Sequence, residues 1–204
     1  SGADSITIHL REDRRHINDE DLKKIKSKLK IPLNLEIAST NEMLSIALNK
    51  KPQFICIVPE KRKEITTEGG LNLKHKKIFL KKMIQRLKKN KSRVSLFIEP
   101  SLKDIKEAKN LNADCVEIHT GKFCNLINEN KRYHAELKRI KKAVELGNKL
   151  GLEVHAGHGL TFKSAKILSK VSGIKEFNIG HFLIGESIYI GLKNTIKKFK
   201  KIIK

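Results

Sequence analysis

Aromatic side chains are scarce, at 5% of residues, so the chain offers no row of stacking platforms for single-stranded nucleic acid. Its three cysteines, Cys56, Cys115 and Cys124, are odd in number and form no C-x-x-C pair, which fits a reducing cytoplasmic compartment better than a disulfide framework. No apolar run approaches the roughly 20 residues that span a bilayer. Ser1 to Arg15 hold no signal-peptide hydrophobic region, and the chain reads as soluble with no membrane partner. H-E-x-x-H, a P-loop and the strand-turn-helix serine elbow are all missing. His155 and His158 are three apart rather than four and the cysteines lack ligand spacing, so no metal is expected.

Positive charge is what the chain has in excess: 44 basic residues against 22 acidic ones give a net +22 over 204 residues. Such a balance invites nucleic acid, anionic membrane or phosphorylated substrates. The lysines are spread among helical stretches, as in Lys81-Lys82, Lys141-Lys142 and Lys197-Lys198, which favours a solvated surface over a nucleic-acid footprint. A basic RNA- or polyanion-binding protein on a degenerate barrel remains the rival reading. Hydrophobic content of 39% is adequate for a core, because folding at this length hides roughly 70% of the extended chain's surface.

Short β-branched runs alternate with amphipathic ones, the pattern of parallel βα units. Strands are expected over 5–9, 33–38, 53–58, 93–98, 114–119, 152–156 and 176–180. Helix starts are marked by Asn18, by Ser39 with Glu42, and by Ser101 with Asp104. Apolar residues at helical spacing trace helices through Leu22, Ile25 and Leu29, through Leu80, Ile84 and Leu87, through Leu137, Ile140 and Val144, and through Ile188, Leu192, Ile196 and Phe199. Gly151 suits a left-handed stop. Gly2 to His9 and Asn112 to His119 resemble each other, each entering a strand that ends in histidine. A (β/α)8 TIM barrel over residues 1–204 is the expected fold, with extra helices after the third and fourth strands. Because Ser1-Gly2-Ala3-Asp4 reads as a link from helix to strand, a first strand and helix are expected upstream of Ser1. An open doubly wound sheet is the alternative.

In such a barrel the catalytic groups stand at the carboxyl ends of the strands. Those ends are polar here: His9, Glu36, Glu117, His119, His158 and His181. One strand-end histidine is usually structural, but four of them with two carboxylates form the kind of cluster in which acid and base pKa values are tuned. The loop from His9 to His16 carries Arg11, Arg14 and Arg15, whose guanidinium forks suit phosphate, although Glu12 and Asp13 neutralise part of that charge. Gly157-His158-Gly159 and Gly180-His181 follow the last two strands, where glycine lets backbone N–H groups approach an anion. Thr66-Thr67-Glu68-Gly69-Gly70 reads either as a closing loop or as a plain connection.

These blocks, with Asn34-Leu35-Glu36, Val58-Pro59-Glu60-Lys61-Arg62 and Asn178-Ile179-Gly180-His181, resemble the pyridoxine 5′-phosphate synthase family over essentially the whole chain. The resemblance implies a barrel that assembles into a homooctamer, needs no metal and no organic cofactor, and joins 3-amino-2-oxopropyl phosphate to 1-deoxy-D-xylulose 5-phosphate. It implies that His9 and Glu36 accept protons, that His158 donates one, and that Glu117 is a further active-site carboxylate. It also implies that Arg11, His16 and Thr66 hold the deoxyxylulose phosphate, and that Gly159, Gly180 and His181 hold the aminoketone phosphate.

Overall fold

The computed structural model describes residues 1–60 and 69–203. Seven parallel strands form one sheet in sequence order: β1 (Ile6–His9), β2 (Leu33–Ala38), β3 (Phe54–Val58), β4 (Arg93–Ile98), β5 (Cys115–His119), β6 (Glu153–Gly157) and β7 (Ile174–Asn178). The helices are α1 (Asp19–Lys28), α2 (Asn41–Lys50), α3 (Lys77–Lys89), α4 (Leu102–Asn110), α5 (Gly121–Asn128), α6 (His134–Lys149), α7 (Phe162–Leu168), α8 (His181–Ile190) and α9 (Leu192–Ile202). This is the TIM-like α/β architecture that the alternation predicted.

Period-two alternation divides the labour between the two faces of the sheet. Leu33, Leu35 and Ile37 of β2, Ile55 and Ile57 of β3, Val94 and Leu96 of β4, and Val116 and Ile118 of β5 are buried in the main apolar core. That core also holds Met43 and Leu44 of α2, Leu80, Met83 and Ile84 of α3, Ile105 of α4, and Ile140 and Val144 of α6. Each such side chain contributes about 1.5–3 kcal/mol of transfer free energy, so this outer layer supplies the stability. The intervening residues, Asn34, Glu36, Cys56, Ser95, Glu117 and His155, are polar or small and face the other way. The sheet curls until inward side chains of non-neighbouring strands meet. Arg93 of β4 reaches Glu176 of β7 at 3.1 Å. Thr7 Oγ1 of β1 donates to Asn178 Oδ1 of β7 at 3.1 Å, bridging the two strands that end the sheet.

Four expectations shift. The extra helices follow β5 (α5 before α6) and β7 (α8 before α9), whereas a single helix follows β3 and another follows β4 among the described residues. β6 and β7 lie at Glu153–Gly157 and Ile174–Asn178, rather than 152–156 and 176–180, with a register irregularity at Val154/His155. The second helix is capped by Thr40, whose hydroxyl accepts from the Met43 amide, and not by Ser39. The apolar series from Ile188 to Phe199 spans two helices, because Gly191 at φ +78° breaks the chain between them. Asn18 and Ser101 cap as expected, and Gly151 is left-handed at φ +72°.

Candidate active site

The parallel strands deliver their carboxyl ends to one rim, and the expected residues gather there. His9 and Glu36 are register partners on β1 and β2, with His9 Nδ1 3.7 Å from Glu36 Oε2. Burial pushes the Glu36 carboxyl up to about 7. Burial, followed by the charges of Arg11 and His16, brings the His9 imidazole down to about 4. A neutral imidazole thus faces a carboxyl that titrates near neutrality, so of the two Glu36 exchanges a proton most readily near pH 7.

Glu117 stands two strands beyond Cys56, with only 3% of its surface exposed. Asn178 Nδ2 donates to its Oε2 at 2.8 Å, and the Cys56 thiol approaches the same oxygen at 3.8 Å. Burial, then the negative charges of Glu36 and Glu176, hold its carboxyl well above the usual range. Raised in this way, the Glu117 carboxyl favours its protonated form more than a solvent-exposed carboxyl does. Beside it, Gly157 leaves no room for a side chain: a Cβ there would fall 1.9 Å from Glu117 Oε1.

The chain turns sharply after Gly157. His158 has φ +77° and Gly159 φ +78°, and a non-glycine residue in that region is held only by its surroundings. Here the holder is Thr120, whose hydroxyl donates to Gly157 O at 2.8 Å and lies 2.7 Å from His158 O. The turn sets the His158 ring 4.8 Å from that of His119. Burial, His119 and His181 lower the His158 pKa. His119 Nδ1 donates to Glu99 Oε1 at 2.8 Å, while Arg139 and the Gly70 amide bind the same carboxylate at 3.0 and 3.1 Å. That makes Arg139–Glu99–His119 a fixed relay behind His158. A cavity of about 520 Å³ opens between His119, Gly121, Lys122, Asn125 and His158.

Arg11 is buried to 2% exposure and lies 3.7 Å from Glu60 and 3.9 Å from Asp13. His16, on the same loop, is exposed. Asp13 also hydrogen-bonds Arg15, and Arg14 is engaged by Asp19 and Glu42, so the acidic residues do neutralise part of this loop. Gly180 caps α8 without a side-chain hydrogen bond, leaving space around it, and exposed His181 is the first helical residue. Thr66 lies outside the described residues.

Two contributors carry no prior role in the sequence. Glu60 lies 3.4 Å from His9 Nε2 and accepts from the Glu12 amide at 2.9 Å, and Glu99 organises His119. Both follow strand ends one or two residues late, and that position was the available signal.

The family model described as "Pyridoxal phosphate biosynthesis protein PdxJ" matches residues 1–204. The chain belongs to the PdxJ family. A pyridoxine 5′-phosphate synthase of Pelagibacter ubique is 62% identical over 201 residues, covering 98% of this chain and 84% of the relative. The synthase of Zymomonas mobilis is 50% identical over 203 residues, covering 100% of this chain and 78% of the relative. Among solved structures, KGPDC from Streptococcus mutans aligns with TM-score 0.70 and 11% identity, over 98% of this chain and 84% of that one. The 3-hexulose-6-phosphate synthase of Salmonella typhimurium gives 0.69 and 11%, over 98% and 86%. At that identity the likeness is one of fold. No helix among the described residues is long and apolar enough to cross a membrane.

Proposed function

We propose that this PdxJ chain is a pyridoxine 5′-phosphate synthase, condensing 3-amino-2-oxopropyl phosphate with 1-deoxy-D-xylulose 5-phosphate to pyridoxine 5′-phosphate, phosphate and water. The observation that carries the reading is the His9–Glu36 pair, 3.7 Å apart, with the buried Glu117 carboxyl on the same curled face. Imine formation, dehydration and ring closure each move a proton on or off oxygen, nitrogen or carbon, and a lowered imidazole beside two raised carboxyls sets the acid and base strengths apart for such steps. His9 and Glu36 accept protons. His158, seated by its turn against His119, donates one, and Glu117 offers its proton to developing negative charge. Arg11 and His16, with Thr66, take the deoxyxylulose phosphate. Gly159, Gly180 and His181 take the other phosphate, with the α8 N-terminus contributing unpaired N–H groups. The chemistry uses no metal and no organic cofactor.

Self-association as a homooctamer in the cytoplasm completes the proposal. Its support is α8, an apolar helix with no buried residue, where Ile184, Ile188 and Tyr189 are 60%, 81% and 85% exposed. Incubating the purified chain with both substrates and following pyridoxine 5′-phosphate by chromatography tests the function. Glu36→Gln is expected to lower turnover by about 10²–10⁴-fold. No product from the wild-type chain, joined to salt-sensitive polyanion binding, would turn the reading to the basic binding protein.

A further inference from the structure

At the rim opposite the proposed active site, three side chains of different donor chemistry converge. Cys115 opens β5 and Glu153 opens β6 as register partners, and His155 stands two residues on, on the same face. The thiol, a carboxylate oxygen and a ring nitrogen all lie within 4.8 Å of one another. Cys115 is fully buried and His155 has 2% exposure, while the Glu153 side chain is 40% exposed. The cluster thus has an enclosed wall and an entry from solvent.

We propose that Cys115, Glu153 and His155 bind a zinc(II) ion that clamps the amino-terminal ends of β5 and β6. A thiolate, an imidazole and a carboxylate are a borderline-soft donor set, which selects zinc over the all-oxygen preference of magnesium or calcium. Bond lengths of about 2.0–2.3 Å put tetrahedral zinc ligands about 3.3–3.7 Å apart, so the side chains need to close by only about an ångström.

The surroundings already have the form of an outer shell. His155 Nε2 faces Glu153 Oε1 at 2.8 Å, whereas Nδ1 faces Glu176 Oε1 at 3.7 Å. That Glu176 oxygen is buried and has no hydrogen-bond partner. With Nε2 on the ion, Nδ1–H points at this waiting acceptor, the carboxylate–histidine–metal arrangement that fixes a ligand's tautomer. Arg93 grips Glu153 Oε1 at 2.7 Å and Glu176 Oε2 at 3.1 Å while stacking 3.8 Å over Phe54, so both carboxylates are already oriented. A thiolate and two carboxylates balance a divalent ion plus the guanidinium, leaving the occupied site neutral. Binding releases the thiol proton to solvent, and no redox step is involved.

The full chain titrated with cobalt(II) alone is expected to develop a thiolate-to-cobalt charge-transfer band that saturates at one equivalent and bleaches when zinc(II) is added. Cys115→Ser abolishes the band, and His155→Asn weakens binding at least tenfold. Glu176→Gln keeps the band but lowers affinity about 10- to 100-fold. A wild-type chain without the band overturns the proposal, as does a band that survives Cys115→Ser and so arises from Cys56 or Cys124. If Cys115→Ser fails to fold, X-ray absorption on a zinc-loaded chain carrying Cys56→Ala and Cys124→Ala decides: one sulfur in the coordination shell supports the site, and a shell of oxygen and nitrogen alone sinks it.

Discussion

Replacing Gly157 with alanine tests whether the Glu117 carboxyl must stand where it does. A Cβ built at this position lies 1.9 Å from Glu117 Oε1, 2.9 Å from its Cδ and 3.2 Å from Asn178 Cβ. Real Cβ atoms essentially never come within 3.0 Å of a neighbour, so the oxygen must retreat by more than an ångström or β6 must move. Glu117 has little freedom to retreat, because Asn178 holds its other oxygen at 2.8 Å and the carboxyl is almost wholly enclosed. Overpacking of this kind costs about 1–3 kcal/mol of stability. A catalytic group misplaced by about 1 Å costs on the order of 10²-fold in rate. Denaturant titration and steady-state product formation on the same preparation separate the two effects. A variant that folds, loses about 10²-fold in kcat and keeps its KM fits the geometry. Wild-type stability together with wild-type kcat would refute it, since the crowding would then be relieved at no cost and Glu117 would have no fixed task.

Two further predictions concern the same rim. Glu36 is raised in the folded state to about 7 from 4.5, so the folded protein holds a proton that the unfolded chain has lost between those values, and ionising Glu36 destabilises the fold as pH rises through that window. Glu36→Gln is therefore expected to be more stable than wild type at pH 8, by about 1–3 kcal/mol, with the difference gone near pH 4; an equal gain at both pH values in paired denaturant titrations would contradict this. Thr120→Val removes the hydroxyl that bonds Gly157 O and lies against His158 O, and is expected to cost about 1–3 kcal/mol and to lower kcat as the His158 turn relaxes. Unchanged melting and turnover would show that the turn holds itself.

The strands were legible because β-branched runs such as Phe54–Val58 and Arg93–Ile98 have few alternative readings, and the inward polar residues stood out against them. The His9–Glu36 pair followed from the strand ends alone, since parallel register places them side by side. Boundaries were harder. Periodicity carries across Gly191, so α8 and α9 read as one helix, and adjacent hydroxyls at Ser39 and Thr40 compete for one cap that only backbone geometry decides. Glu60 and Glu99 were hidden because their value lies in what they touch, His9 and His119, across long stretches of chain. The Cys115–Glu153–His155 cluster was invisible to spacing rules, because its donors sit on two different strands and meet only through the β5–β6 register.

The bridge between Thr7 and Asn178 is one link of a longer series. Asn34 donates to Thr7 at 3.2 Å, Thr7 to Asn178 at 3.1 Å, and Asn178 to Glu117 at 2.8 Å. Among the described residues no backbone ladder joins β1 to β7, so side chains lace that seam, and the lacing terminates on the buried Glu117 carboxyl. Asn178 serves both bonds, so the closure of the sheet and the placement of one of its central carboxyls hang on the same side chain.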